Sequence, residues 1–277
     1  MIKRFFHSIT HAPFKIVKET IVALGIVLSL YQLTVIFFPS ISKCLIGWKA
    51  FLVFIFISIV YGFLKARKVS KVNFIIPHTN TTVEVLFGDL FKQDGLRVIP
   101  VNNFFDSEIG IPVSPKTLHG IMIENHLNGR NFDAIVGEQL ASVKSQTVKK
   151  TRGKQKRYPI GTTATIKTDG DYLLFALSKT DPTTCKAHCD VATMWFALEQ
   201  LLNRGRIESN GYPVNLPLVG SGQSGVGLRA RDLLNLLLLS IVTATKSRRI
   251  AGKIRIILKY DLFQELDLKS IKQHWKE

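Results

Sequence analysis

Acidic residues are nearly absent from the first quarter of this 277-residue chain. Residues 1–71 hold one, Glu19, against ten Lys and Arg. Cysteine is scarce throughout: Cys44, Cys185 and Cys189 are too few and too scattered for a disulfide framework, which fits a reducing compartment. Cys185, His188 and Cys189 sit close together, but no further ligand follows at a recognisable spacing. They read as ordinary helix residues running into the apolar stretch 191–202, and no metal is expected. No internal repeat and no low-complexity linker interrupts the chain. Residues 65–71 form its one obvious junction.

Long apolar runs, by contrast, are present twice. Residues 21–38 have Gln32 as their only strongly polar member, and residues 45–64 carry one charge, Lys49. A helix apolar around its whole circumference for that length reads as a membrane span, and a core helix seldom does this. The first run has twelve Ile, Val, Leu or Phe residues, which favour insertion by roughly 4–7 kcal/mol in sum. Spans of about 20–38 and 45–64 would make residues 1–71 a membrane hairpin. Lys3, Arg4, Lys15 and Lys18 precede it; Lys65, Arg67, Lys68 and Lys71 come after it. The connecting loop has only Lys43. By the positive-inside rule, both termini are expected in the cytoplasm. A cleaved signal peptide fits worse, because no small-residue cleavage site follows the first run.

The net charge of +17 invites a nucleic-acid reading. Half of it is topology signal: residues 1–71 account for +9, and the remainder has 27 Lys and Arg against 19 Asp and Glu. The densest later cluster, residues 149–157 (KKTRGKQKR), has no interleaved aromatic and reads as an exposed loop. Nucleic acid is not an expected partner.

Residues 72–277 suit one domain. Strands are expected at 71–76 and 83–87 as a hairpin-like pair, with a short apolar run at 96–101 and a helix over 115–129. Residues 141–150 look strand-like, and further strands are expected at 161–167 and 172–177. A helix over 190–203, a strand at 215–219, a helix over 228–246, a strand at 253–260 and a helix over 262–275 complete the order. Alternating strands and helices at the C-terminal end argue for a three-layer α/β domain.

The sharpest chemical signal is Gly220-Ser221-Gly222-Gln223-Ser224-Gly225-Val226-Gly227, between a strand and a helix. Without Cβ atoms, backbone N–H groups can close on an anion at the positive end of a helix. A Rossmann reading fails because no acidic residue lies about 20 positions on, and a P-loop reading fails because no Gly-Lys-Ser/Thr is present after it. A plain structural turn is the competing interpretation.

These residues resemble the macro domain family. Its second phosphate loop looks like residues 218–227, its Gly-Asp-hydrophobic motif like Gly88-Asp89-Leu90, and its strand ending in Asn like residues 98–103. Its Tyr-Pro-x-Gly-Thr stretch is similar to residues 158–162. The resemblance implies an ADP-ribose site in which Asp89, with Leu90 beside it, accepts from the adenine amino group. Asn102 and Asn103 would face the distal ribose, and residues 220–227 would hold the diphosphate. Alone, Asp89 would read as a cap and the Asn pair as a turn. One departure counts. Residues 104–116 lack the glycine triplet of the hydrolytic members, which argues against catalysis.

A macro-like domain behind a two-helix hairpin resembles the transmembrane–macro effectors of Thoeris anti-phage defence. That resemblance implies an ADP-ribose-derived messenger, a histidine conjugate made by a TIR-domain partner, and no cofactor. It also implies a homo-oligomer in the bacterial inner membrane that disrupts the membrane and kills the infected cell, an abortive infection. A membrane-tethered ADP-ribosyl hydrolase is the rival reading.

Overall fold

The computed structural model describes residues 13–38, 47–222 and 225–275. It divides into two compact units, Met1–Val69 and Ser70–Glu277.

In the first unit, helices α1 (Pro13–Phe37) and α2 (Trp48–Ala66) pack on each other. The stretches Ile16–Phe37 and Trp48–Ala66 are long and apolar enough to cross a membrane. Their inward residues are small: Ala23, Ser58, Gly62 and Ala66 are buried, while Ile21, Leu30, Phe37, Phe56 and Leu64 stay more than half exposed. Helix pairs in water bury their large apolar side chains, and pairs in lipid use small residues for close approach. Gly62 shows why, since a Cβ there would run into the Thr20 side chain and lie 3.1 Å from the Ile16 carbonyl oxygen. Glu19 is paired with Lys65 at 3.1 Å. Helix α1 is described from Pro13, and its stretch long and apolar enough to span begins at Ile16, a few residues before the expected residue 20. Lys3, Arg4 and the loop 39–44 with Lys43 lie outside the described residues.

The second unit is built on β1 (Lys71–Ile75), β2 (Thr82–Phe87), β3 (Leu96–Asn102), helices α3 (Leu118–Asn125) and α4 (Phe132–Leu140), and β4 (Gln146–Thr147) with β5 (Lys156–Arg157). Then come β6 (Thr163–Lys167), β7 (Asp171–Thr180), β8 (Ala187–His188), α5 (Val191–Glu208), β9 (Val214–Pro217), α6 (Ala230–Ser247), β10 (Lys253–Leu258) and α7 (Leu268–Trp275). The main sheet runs β1-β2-β10-β9-β3-β7-β6, with β8 paired to β7. Its five inner strands are parallel, and β1 and β6 are antiparallel edges. Strand β7 is buried at Tyr172, Leu173, Leu174, Phe175 and Ala176 in succession, so it is covered on both faces. Helices α3 and α4 pack on β3 and β6, and α5 packs on β7 and on α6. This is the expected layered α/β arrangement.

Three local expectations are corrected. Residues 141–150 form no long strand; only Gln146–Thr147 pairs, with Lys156–Arg157. The preceding apolar residues instead make α4, which starts where the Asn131 side chain accepts from Asp133 and Ala134 N–H at 2.9 and 3.2 Å. The last helix begins at Leu268, after a 3-10 turn at Tyr260–Phe263. Cys185 and His188 are not helical: they lie in a turn and in β8, ahead of the Asp190 N-cap of α5.

Candidate functional site

Parallel strands all end on one side of their sheet, and the loops leaving those ends wall a crevice. The loops after β2, β3, β9 and β10 enclose a cleft of about 830 Å³. A cleft of that size takes a drug-sized ligand.

Asp89 leaves β2 and is exposed at one wall. It caps the 3-10 turn Leu90–Lys92, with Oδ1 accepting from Phe91 N–H at 3.0 Å. Oδ2 has no protein partner among the described residues. The capping role and the cleft position coexist. Leu90 is 4% exposed and joins the core below.

Asn102 and Asn103 part company. Opposite β7 the register shifts between Val101 and Asn102, with Leu177 of β7 left as the extra residue, and successive residues of an extended chain point to opposite sides. Asn102 lines the cleft, whereas Asn103 lines a separate pocket of about 320 Å³ with Arg157, Lys179 and His188. The structure therefore does not bring the pair to one site. Local bonds already hold both side chains. Asn102 Oδ1 accepts from Phe104 and Asp106 N–H at 3.1 and 3.3 Å, and Nδ2 donates to Asp106 at 2.9 Å. Asn103 Oδ1 accepts from Thr180 N–H at 3.1 Å.

After β9, residues 218–222 line the cleft; Gly225, Val226 and Gly227 do not. Gln223 and Ser224 lie outside the described residues. Gly220 and Gly227 have φ near +80°, a region side chains disfavour, and Val226 N–H donates to the Gly220 carbonyl at 3.1 Å. Ser221 Oγ donates to the Leu218 carbonyl at 2.7 Å. A Cβ on Gly220 would press on Val226, Leu233 and Met194, whereas one on Gly222 meets no atom of the described residues within 4 Å. Gly220 is thus required by packing, and Gly222 leaves its space open. The first N–H of α6, on Ala230, already donates to Glu265 at 3.1 Å.

Residues that sequence reasoning missed complete the walls: Phe91, Ser114, Lys116, Thr117, His119 and Lys259. His119, on the first turn of α3, is 5% exposed and lies against Phe132 with ring centroids 5.3 Å apart, its Nε2 unpartnered among the described residues. Burial, and then the nearby Lys154 charge, push its pKa down to about 3, so it is neutral at physiological pH. No spacing signal marks these residues, because they converge only when strands distant in the chain become neighbours.

Most of the basic stretch 149–157 is exposed or half-buried, as expected of a loop, but Lys150 is buried. Lys150 and Asp106 form an ion pair with both side chains fully buried. Asp106 also accepts from Lys154 N–H at 2.7 Å and from Asn102, which ties the stretch to the cleft's Asn wall. Arg152 pairs with Glu108 at 2.9 Å and Lys154 with Asp133 at 2.5 Å. Three of the six cations in this stretch are thus paired with acids distant in the chain, and Arg157 donates to the Gln146 amide oxygen at 2.6 Å. The Tyr-Pro-x-Gly-Thr stretch is structural as well. Tyr158 is buried edge-on to Phe105, its pKa raised by that burial, and Gly161 N–H donates to the Ala176 carbonyl at 2.8 Å.

The profile of the family described as Thoeris protein ThsA, Macro domain, matches residues 83–259. This chain belongs to that family. The matched span runs from β2 to just past β10 and includes the cleft-forming loops after β2, β3 and β9. Among solved structures, an Oceanobacillus iheyensis macrodomain, a Gly-to-Val mutant with ADPR, aligns at TM-score 0.52 and 11% identity, over 75% of this chain and 100% of that one. The same organism's macrodomain with ADP aligns at TM-score 0.50 and 12% identity, over 74% and 96%. At such identity the likeness establishes a shared macrodomain fold. No curated protein matches. Among the described residues, no group of three or more His, Cys, Asp or Glu could hold a metal ion.

Proposed function

We propose that this macro domain binds an ADP-ribose-derived messenger and that the protein acts as a membrane-anchored effector of anti-phage defence. The observation that carries the reading is the cleft itself. An unspent carboxylate oxygen at Asp89 and an open glycine backbone at Gly222 line one cavity of about 830 Å³ at the carboxyl ends of the parallel strands. In this reading Asp89 accepts from the adenine amino group, and residues 218–222 carry the diphosphate, with 223–227 completing the loop. Asn102 shapes the distal-ribose wall. The macrodomain neighbour carrying ADPR supports the choice of ligand class.

Helices α1 and α2 serve as a bacterial inner-membrane anchor with both termini cytoplasmic. Messenger made by a TIR-domain partner, as a histidine conjugate, then favours an assembled state in which joined hairpins breach the membrane and the infected cell dies. Binding alone is sufficient for this, provided the ligand prefers one assembly state. Hydrolysis is not part of the reading: Asn102, the residue nearest to a catalytic role, spends its side chain on Phe104 and Asp106.

Calorimetric titration of the full-length protein in detergent with ADP-ribose and its amino-acid conjugates tests the proposal. Saturable binding without turnover is expected. No binding of any of them would sink it, and steady hydrolysis lost in Asn102→Ala would favour the tethered hydrolase.

A further inference from the structure

The two edges of the main sheet are treated differently. An open edge presents unpaired N–H and C=O groups to any passing strand, and proteins usually blunt it. On β6 that is done by side chains. The Gln139 amide accepts from Thr165 N–H at 2.7 Å and donates to the Thr165 carbonyl at 2.5 Å, which mimics a neighbouring strand. Arg130 covers the Lys167 carbonyl at 2.5 Å.

Strand β1 has no such guard among the described residues. Phe87 N–H donates to the Ser70 carbonyl and Ile76 N–H to the Thr81 carbonyl, both at 3.0 Å. In an antiparallel ladder the bonding alternates, so Val72 and Phe74 also turn their backbone groups to β2. Lys71, Asn73 and Ile75 turn theirs outward, and all three are exposed, Ile75 by 64%. The pentad Lys-Val-Asn-Phe-Ile is its own complement when reversed about Asn73. Lys71 then faces Ile75 of another copy, and no like charges meet.

We propose that β1 pairs antiparallel with β1 of a second copy of this chain, centred on Asn73, joining two sheets across a two-fold axis. The contact is isologous, and about six main-chain hydrogen bonds complete it. The chain's charge of +17 opposes self-association elsewhere. At this edge these charges balance two against two, because Glu84 lies 2.9 Å from Lys71 and 3.4 Å from Arg255, and Asp94 lies 2.7 Å from Arg255. Only residues 67–70 separate α2 from β1 in the chain, so pairing tethers the membrane helices of two copies to one seam. The seam does not depend on which ligand fills the cleft.

Register-specific cross-linking tests it. The full-length chain, with Cys44, Cys185 and Cys189 replaced by Ser, carries Asn73→Cys and is oxidised in membranes with and without ADP-ribose. Opposed residues of a hydrogen-bonded pair have Cα atoms about 5.5 Å apart, within disulfide range. Asn73→Cys should form a covalent dimer in at least one condition. Lys71→Cys mixed with Ile75→Cys should cross-link, and Ile75→Cys alone should not. Adding Ile75→Pro to Asn73→Cys removes an outward N–H without touching the β1–β2 ladder, and should cut the cross-link severalfold. No dimer from Asn73→Cys in either condition overturns the proposal. So does equal cross-linking by Ile75→Cys alone.

Discussion

Gly222 and Gly220 sit two positions apart and answer to different constraints. A Cβ on Gly222 meets no atom of the described residues within 4 Å, so Gly222→Glu should fold normally and place a carboxylate in the space assigned to a diphosphate. ADP-ribose binding should vanish while the melting temperature holds. Asp89→Ala should weaken binding about tenfold or more, since a charge-assisted hydrogen bond is lost. Unchanged affinity in both variants would move the ligand elsewhere. His119 adds a pH dependence. Its pKa is about 3 in the folded chain against 6.5 for the free side chain, so below 6.5 the unfolded chain binds the extra proton. The contribution is intact above pH 6.5 and declines as pH falls towards 3, by about 1.4 kcal/mol for each pH unit. Thermal melts at pH 7.5 and 5 should show a smaller acid loss in His119→Phe than in the parent protein. The glycine pattern was legible in sequence because backbone freedom is local, whereas Asp89 stood out only through the resemblance to the macro domain family. His119 was not, since what distinguishes it is burial.

At the level of elements, the stretch 149–157 behaves as a strap whose buried clasp is Lys150 on Asp106. Removing one partner of a buried pair leaves the other charge stranded, at about 3–5 kcal/mol. Lys150→Met should therefore lower stability by that order in chemical denaturation. Lys150→Met combined with Asp106→Asn should recover much of the loss; equal losses would mean that the charge is not the cause. Because Asp106 also holds Asn102, the single variant should weaken ADP-ribose binding as well. The sequence shows nine residues dense in Lys and Arg, and such runs usually face water. Most of this one does so, but Asp106, 44 positions back in the chain, draws Lys150 inward, and no local pattern reports that.

For the whole molecule, the proposed mechanism makes two demands. Reporter fusions at Lys71 and Glu277 should both signal cytoplasm; a periplasmic signal from either would break the topology. Deleting residues 1–68 should leave ADP-ribose binding intact and abolish toxicity in cells that make the messenger. If the truncated chain still kills, the membrane is only an address.

Hydropathy alone marked two helices able to span a membrane, because an apolar run of 18 residues needs no partner to be recognised. The order of strands and helices, and the glycine loop between β9 and α6, were likewise set by local periodicity and by backbone freedom. Tertiary structure decided the rest. The packing around the end of β3 sends Asn102 and Asn103 to different pockets, a buried carboxylate draws Lys150 inward, and the sheet order leaves β1 at an edge. Each depends on which distant segments become neighbours, and composition and spacing carry no record of that.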